Sequence, residues 1–201
     1  MSLVLDHTET DTRTRILLVA ERLFREIGYQ KTTVADIAKV LKMSPANVYR
    51  FFDSKAAIHQ GVATRLMGEV ETAVVTIAAE PLSPKDRLRE ILATIHHMNA
   101  ERYVGDAKLH EMVAFAMEEN WDICDAHVAR LGESVGRVIA EGVAAGQFKP
   151  CDIEQTAHCV CISMCRFFHP QMIAQCAAKQ IDVPLDTMIE FVIGAISVPK
   201  G

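Results

Sequence analysis

The chain has 201 residues, half of them apolar and few of them aromatic, a balance that allows a buried core, excludes a disordered chain and favours helices packed on helices. Its net charge of −5 argues against nucleic acid as a partner, but the distribution reverses that: Arg13 to Gly68 holds ten Lys and Arg against four Asp and Glu, and the residues from Glu69 onward hold eleven against nineteen. A basic N-terminal quarter on an acidic body is the electrostatic footprint of a small DNA-binding head.

Residues 1–11 are polar and expected to fray. From Thr12 the apolar positions Ile16, Ala20, Leu23, Phe24 and Ile27 recur at helical spacing, and Gly28 supplies a left-handed stop, so a first helix is expected over about 12–27. Thr33 with Asp36 three residues on makes a capping box, with Asp for the usual Glu, and opens a second helix through Ile37, Ala38 and Leu41. Ser44-Pro45 starts a third: Ser caps the free amides, and Pro occupies the first helical position, where its missing N–H costs nothing. This short helix is expected to reach about Phe52. Only Lys42 and Met43 remain for the turn before it, so the two short helices read as a helix-turn-helix.

Asp53-Ser54 caps a long fourth helix carrying Ile58, Val62, Leu66 and Val70, and the stretch Glu80 to Pro84 breaks the chain. Then come Leu88, Ile91, Leu92 and Ile95, a segment around Met112 to Met117, and Val128, Leu131, Val135, Val138 and Ile139, ending near Gly146. Asp152 caps a helix expected to run through Cys161 and Phe168, and Pro184 opens the last, with Leu185, Met188, Ile189, Val192 and Ile196. There is no alternating strand pattern and no internal repeat, so the expected fold class is all-α, with about nine or ten helices. No apolar run approaches the roughly 18–20 residues of a membrane span, and the start lacks a basic-then-apolar secretory layout; no membrane partner and a cytoplasmic location are expected.

The run Thr12-Arg13-Thr14-Arg15-Ile16-Leu17, Ala20-Glu21-Arg22-Leu23-Phe24, Gly28-Tyr29-Gln30-Lys31-Thr32-Thr33-Val34, Ile37-Ala38 and Ser44-Pro45-Ala46-Asn47-Val48-Tyr49-Arg50-Phe51-Phe52-Asp53-Ser54-Lys55 resembles the DNA-binding head of the TetR family of repressors. The resemblance covers about the first 55–60 residues; the body resembles that family only in length and helical content. It implies a three-helix DNA-binding domain over 1–54 and a helical effector-binding and dimerisation domain over 55–201. Capped helix ends suit phosphate, so Thr33 and Ser44 are expected near the DNA backbone. Pro45, Ala46 and Asn47 lie on the first turn of the helix that enters the major groove in this motif. Asn47 is the candidate base reader, since its amide pairs with an adenine edge in bidentate fashion, and Ala46 suits a thymine methyl. Tyr49, Arg50 and Lys55 are expected on phosphate, while Phe51 and Phe52 are expected in the core.

One departure stands out. Where the family usually has Ala-Gly-Val-Ser, this chain has Leu41-Lys42-Met43-Ser44. Lys42 must then take the positive φ that Gly takes easily, at a cost of about 1 kcal/mol, and its side chain offers a further phosphate contact.

Six cysteines (Cys124, Cys151, Cys159, Cys161, Cys165 and Cys176) all fall in the C-terminal half and are expected as thiols. His158, Cys161, Cys165 and His169 follow at steps of three, four and four, one face of a single helix. They admit two readings, a metal or thiol-redox sensor, or packing and dimer contact. Four ligands on one rod span about 16 Å, too far to share one ion, so no metal site is assigned. No nucleophile–base–acid set, Gly-rich phosphate loop or His-x-x-x-His pair marks an enzyme, and no cofactor is expected.

The resemblance further implies a homodimer through about 152–177 and 184–198, a near-palindromic double-stranded DNA operator, and a small-molecule effector that is at least partly apolar. His97, Met98, Phe115, Met117, Trp121 and Met164 are the candidate effector pocket, since a sensor needs an apolar hole with a few polar groups. His96, His97, His110 and His127 admit two readings, pocket residues or partly exposed and idle ones, and Met112 is expected mostly in the core.

Overall fold

The computed structural model describes residues 2–103, 108, 121–177 and 183–199, apart from the side chains of 2–9, 121 and 174–177. Ten helices run through them: α1 (Ser2–Ile27), α2 (Val34–Val40), α3 (Pro45–Tyr49), α4 (Lys55–Ala78), α5 (Pro84–Tyr103), α6 (Trp121–Ala144), α7 (Ile153–Ser163), α8 (Cys165–Phe168), α9 (Pro170–Ala177) and α10 (Leu185–Ile196). Among the described residues the only extended pairing is an isolated antiparallel bridge between Phe148 and Ser197, so the all-α expectation holds. The chain divides into two compact units, the first taking the residues up to Leu66 and the second starting at Met67.

In the first unit α1 packs on α2, and α2 on α3. α1 starts at Ser2 rather than near Thr12: Ser2 to Ile27 contains neither Gly nor Pro, so nothing interrupts the helix. It ends at Gly28, at φ 93°, a conformation glycine reaches without a Cβ penalty. The core is built from Ile16, Ala20 and Phe24 of α1, Ile37 of α2, Val48 of α3, and Ile58 and Val62 of α4, none more than 1% exposed.

The second unit is built around α5, which packs on α8, α9 and α10. One apolar cluster joins Val70 and Val74 of α4 to Leu88, Ile91, Leu92 and Ile95 of α5, with Val135, Val138 and Ile139 of α6, Val160 of α7 and Ile193 of α10. Arg87 is buried there; its Nη1 donates to the Ala78 carbonyl at 2.6 Å and its Nη2 to Glu141 at 2.5 Å. It thus satisfies a carbonyl that α4 leaves free at its C-terminus.

The stretch expected as one long helix over 152–177 is instead three. Pro170 drives the residue before it out of the helical region, and His169 sits at φ −74°, ψ 121°. A second break falls at Met164, whose N–H is shared between the Val160 and Cys161 carbonyls at 3.2 Å each. The end of α8 is then held by α5: His96 Nδ1 donates to the Phe167 carbonyl at 2.9 Å, and Asn99 Nδ2 donates to that of Phe168 at 2.8 Å.

Candidate nucleic-acid interface

Two capped helices and a tight turn build the candidate interface. At the start of α2, Thr33 Oγ1 accepts from the Asp36 amide at 3.2 Å while Asp36 Oδ2 accepts from the Thr33 amide at 2.9 Å, the reciprocal capping box. The Thr33 hydroxyl also donates to Asp36 Oδ2 at 2.6 Å. These hydrogen bonds hold the Asp36 carboxyl below the usual carboxylate range, so α2 carries a fixed negative charge in its first turn.

The turn is made by Lys42 at φ 55°, the only non-glycine with positive φ among the described residues. Its amide donates to the Lys39 carbonyl at 3.2 Å and the Met43 amide to Ala38 at 3.0 Å, closing the end of α2. Ser44 then caps α3, its Oγ accepting from the Asn47 amide at 3.2 Å, with Pro45 in the first turn. Helix α3 stops at Tyr49, short of the expected Phe52, with Arg50 as its C-cap and the Phe52 amide still bonded to the Val48 carbonyl at 3.2 Å.

Burial separates the faces of α3. Val48 is fully buried and Phe52 nearly so, which anchors the helix, whereas Phe51 is only half-buried. Pro45, Ala46, Tyr49 and Arg50 are exposed, as are Thr33, Lys42 and Ser44 on the approach to it. Asn47 is half-buried: its Nδ2 donates to Met43 Sδ at 3.8 Å and its Oδ1 accepts from Arg50 Nη1 at 3.5 Å.

Lys55 is held differently from the other expected contacts. Its Nζ donates to the carbonyls of Tyr29 at 3.0 Å, Thr32 at 3.1 Å and Gln30 at 3.4 Å, and lies 4.4 Å from the centroid of the Tyr29 ring. Two contacts of the head carry no signal in the sequence. Arg13 Nη1 donates to the Phe51 carbonyl at 2.5 Å with its guanidinium 4.4 Å over the Phe52 ring, a partnership spanning 38 residues. His59, 1% exposed, stacks on Tyr29 at 4.5 Å between centroids.

In the second unit, the candidate pocket residues divide. Met164 is fully buried, Met98 is half-buried against the same apolar cluster, and His97 is exposed. Phe115 and Met117, with His110 and Met112, lie outside the described residues, as does the side chain of Trp121. A groove of about 540 Å³ runs between α6 and α7, lined by Val128, Gly132, Gly136, Ile153, Ala157 and Cys161 among others, and of the expected pocket residues that are described, His97, Met98 and Met164, none lines it. His127 donates from Nδ1 to Glu71 at 2.7 Å, and Arg130 grips the same carboxylate through Nε at 2.6 Å and Nη2 at 2.9 Å.

The His158, Cys161, Cys165, His169 series does not form one helical face, because the helix breaks at Met164 and again at His169. Burial pushes the Cys161 thiol up to about 11, which leaves it protonated and unreactive at neutral pH. Among the described residues no three His, Cys, Asp or Glu side chains could hold a metal together, and no helix is long and apolar enough to cross a membrane.

A capped, two-residue-turn pair of short helices on a third, followed by a long helix and an all-helical second unit, is the architecture of a helix-turn-helix transcriptional regulator. Residues 16–62 match the model of bacterial regulatory proteins of the tetR family, and residues 84–189, more than half the chain, match the tetracyclin repressor-like C-terminal domain. The chain therefore belongs to the TetR family of DNA-binding transcriptional regulators.

It is 26% identical over 155 residues to an uncharacterised regulator of the helix-turn-helix type from Bacillus subtilis, YhgD, covering 73% of this chain and 77% of that one. The fold resembles that of a TetR/AcrR-family regulator from Thermobifida fusca at a TM-score of 0.66 and 23% identity, over 92% of this chain and 95% of the other. It also resembles the repressor FadR of Thermus thermophilus, solved with lauroyl-CoA, at a TM-score of 0.60 and 18% identity, over 94% and 97% of the two chains.

Proposed function

We propose that this regulator is a cytoplasmic repressor that binds a near-palindromic operator as a homodimer and leaves it when a small, at least partly apolar molecule binds its body. The observation that carries this reading is the exposed face of α3, where Ser44, Pro45, Ala46, Tyr49 and Arg50 lie exposed beside the half-buried Asn47. In the proposed division of labour residues 1–54 bind DNA and 55–201 bind effector and partner. Asn47 reads a base, Ala46 rests on a thymine methyl, and Thr33, Lys42, Ser44, Pro45, Tyr49 and Arg50 set register on the backbone. Lys55, its ammonium held by three backbone carbonyls, stands apart from these contacts.

The dimer forms through the segments 152–177 and 184–198. Supporting this, Ile162 of α7 and Phe191 of α10 are 68% and 69% exposed, with the small Gly194 and Ala195 exposed beside Phe191. Large apolar side chains left in water on both expected dimer segments support an interaction face there. A twofold dimer sets two α3 helices about one DNA turn apart, which gives the operator its symmetry.

Release is a population shift: effector that prefers heads splayed away from DNA draws the equilibrium there, with α4 as the lever. His97, Met98, Phe115, Met117, Trp121 and Met164 remain the candidate pocket. Met98 and Met164 support it by packing in one apolar cluster, and the complex of the Thermus thermophilus repressor FadR with lauroyl-CoA supports an effector that is partly apolar. The experiment is an anisotropy titration against DNA from upstream of the chain's own gene, at two salt concentrations. Tight, salt-sensitive binding that survives excess random DNA supports the reading, and equal weak binding to every sequence contradicts it.

A further inference from the structure

We infer that Lys55 is a positioning residue that locks the first turn of α4 to the corner between α1 and α2, and makes no phosphate contact. The inference rests on the DNA-binding reading above and assigns this lysine a different part in it. An ammonium has three donors. Here three backbone carbonyls, those of Tyr29, Gln30 and Thr32, take them at 3.0, 3.4 and 3.1 Å. A fourth side is covered by the Tyr29 ring, 4.4 Å away. A phosphate would have to displace partners that already satisfy the charge.

The rest of the corner matches that role. His59, one turn after Lys55 on α4, stacks on the same Tyr29 ring, so Tyr29 is held by two residues spaced i, i+4. Tyr29 is 5% exposed and also meets Phe24 of α1 edge-on at 5.3 Å. The Thr32 hydroxyl, fully buried, donates to the Gly28 carbonyl at 2.8 Å and stiffens the loop that Lys55 grips. The next residue is Thr33, the N-cap of α2. Lys55 therefore ties the start of the lever directly to the loop that sets the entry angle of the helix-turn-helix.

Two measurements test this. The first labels the lysines of the full wild-type chain by reductive methylation, with and without an operator selected by that chain from a random DNA pool. Lys55 should be slow to react without DNA, well behind the exposed Lys31, Lys39 and Lys42, and DNA should change it little. A Lys55 that reacts freely alone and is shielded only by DNA overturns the inference.

The second compares Lys55→Met with wild type below its melting temperature. Preference for the selected operator over random DNA should fall about tenfold, while the slope of log affinity against log salt stays the same. A slope reduced by about 0.9 with operator and random DNA weakened alike marks a lost phosphate contact and overturns the inference. So does a variant that melts earlier but retains full operator preference, because Lys55 is then purely structural. If the wild-type chain selects no operator, the proposed function fails instead, and the labelling without DNA still decides whether Lys55 is held.

Discussion

Arg50 Nη1 donates to the carboxamide oxygen of Asn47 at 3.5 Å, linking two polar side chains across the end of α3. The bond is at the long limit for a charged donor, and Arg50 is exposed, so it can be exchanged for a phosphate when Asn47 turns to a base edge. Asn47→Ala should therefore lose about 1–3 kcal/mol of discrimination at one base pair of each half-site while leaving the dimer intact. Titrations against single-site operator variants check it, and unchanged discrimination would remove Asn47 as a reader.

Lys42→Gly should raise stability by up to about 1 kcal/mol, because glycine occupies φ 55° without the Cβ penalty. If the Lys42 ammonium also meets a phosphate, the same variant binds DNA with a salt slope smaller by about 0.9. A thermal melt and a salt series on one preparation separate the two effects.

Acid should loosen the second unit. Burial pushes the Glu71 carboxyl up, but the hydrogen bonds from Arg130 and His127 outweigh it and hold it below its usual range. Burial also lowers His127, outweighing the pull of Glu71. Both groups have folded values below their unfolded ones, so each contributes stability that is present above the unfolded value and lost as pH falls through the folded one. Melting temperature should therefore decline from about pH 6.5 downward, first through His127 and then through Glu71. Glu71→Gln should remove the carboxylate step, deepen the His127 step by taking away the pull that opposes burial, and cost about 1–2 kcal/mol at neutral pH.

Phe191→Asp should shift the chain toward monomer in sedimentation, with helicity retained and operator affinity greatly reduced. Its side chain is 69% exposed in the single chain, so the substitution disturbs little intramolecular packing. A variant that remains dimeric would place the interface elsewhere.

Peroxide should leave Cys161 reduced and operator binding unchanged through it, since a thiol held near 11 offers almost no thiolate at neutral pH. Cys161 should also react with iodoacetamide more slowly than the exposed Cys159. Loss of binding on oxidation would revive thiol sensing.

What could be read from sequence was local. The Thr33–Asp36 box, the Ser44 cap with Pro45, the Gly28 stop and the positive φ of Lys42 are all settled within a few residues, and each is found as expected. The misses depend on distant partners or on missing breakers. α1 extends back to Ser2 because no residue stops it. The segment after Asp152 breaks at His169 because of Pro170, a local signal that the helical periodicity masked, while the carbonyls this frees are taken up by His96 and Asn99, far away in sequence. The hold on the Lys55 ammonium is not legible locally, because its three carbonyl partners lie 23 to 26 residues earlier.

The most direct test of operator-specific binding is selection by the purified chain from a random-sequence DNA pool. One enriched, near-palindromic motif is expected, with half-site centres about 10–10.5 base pairs apart or a multiple of that, as a twofold pair of α3 helices requires. An unenriched pool, or a single motif with no twofold partner, would contradict it.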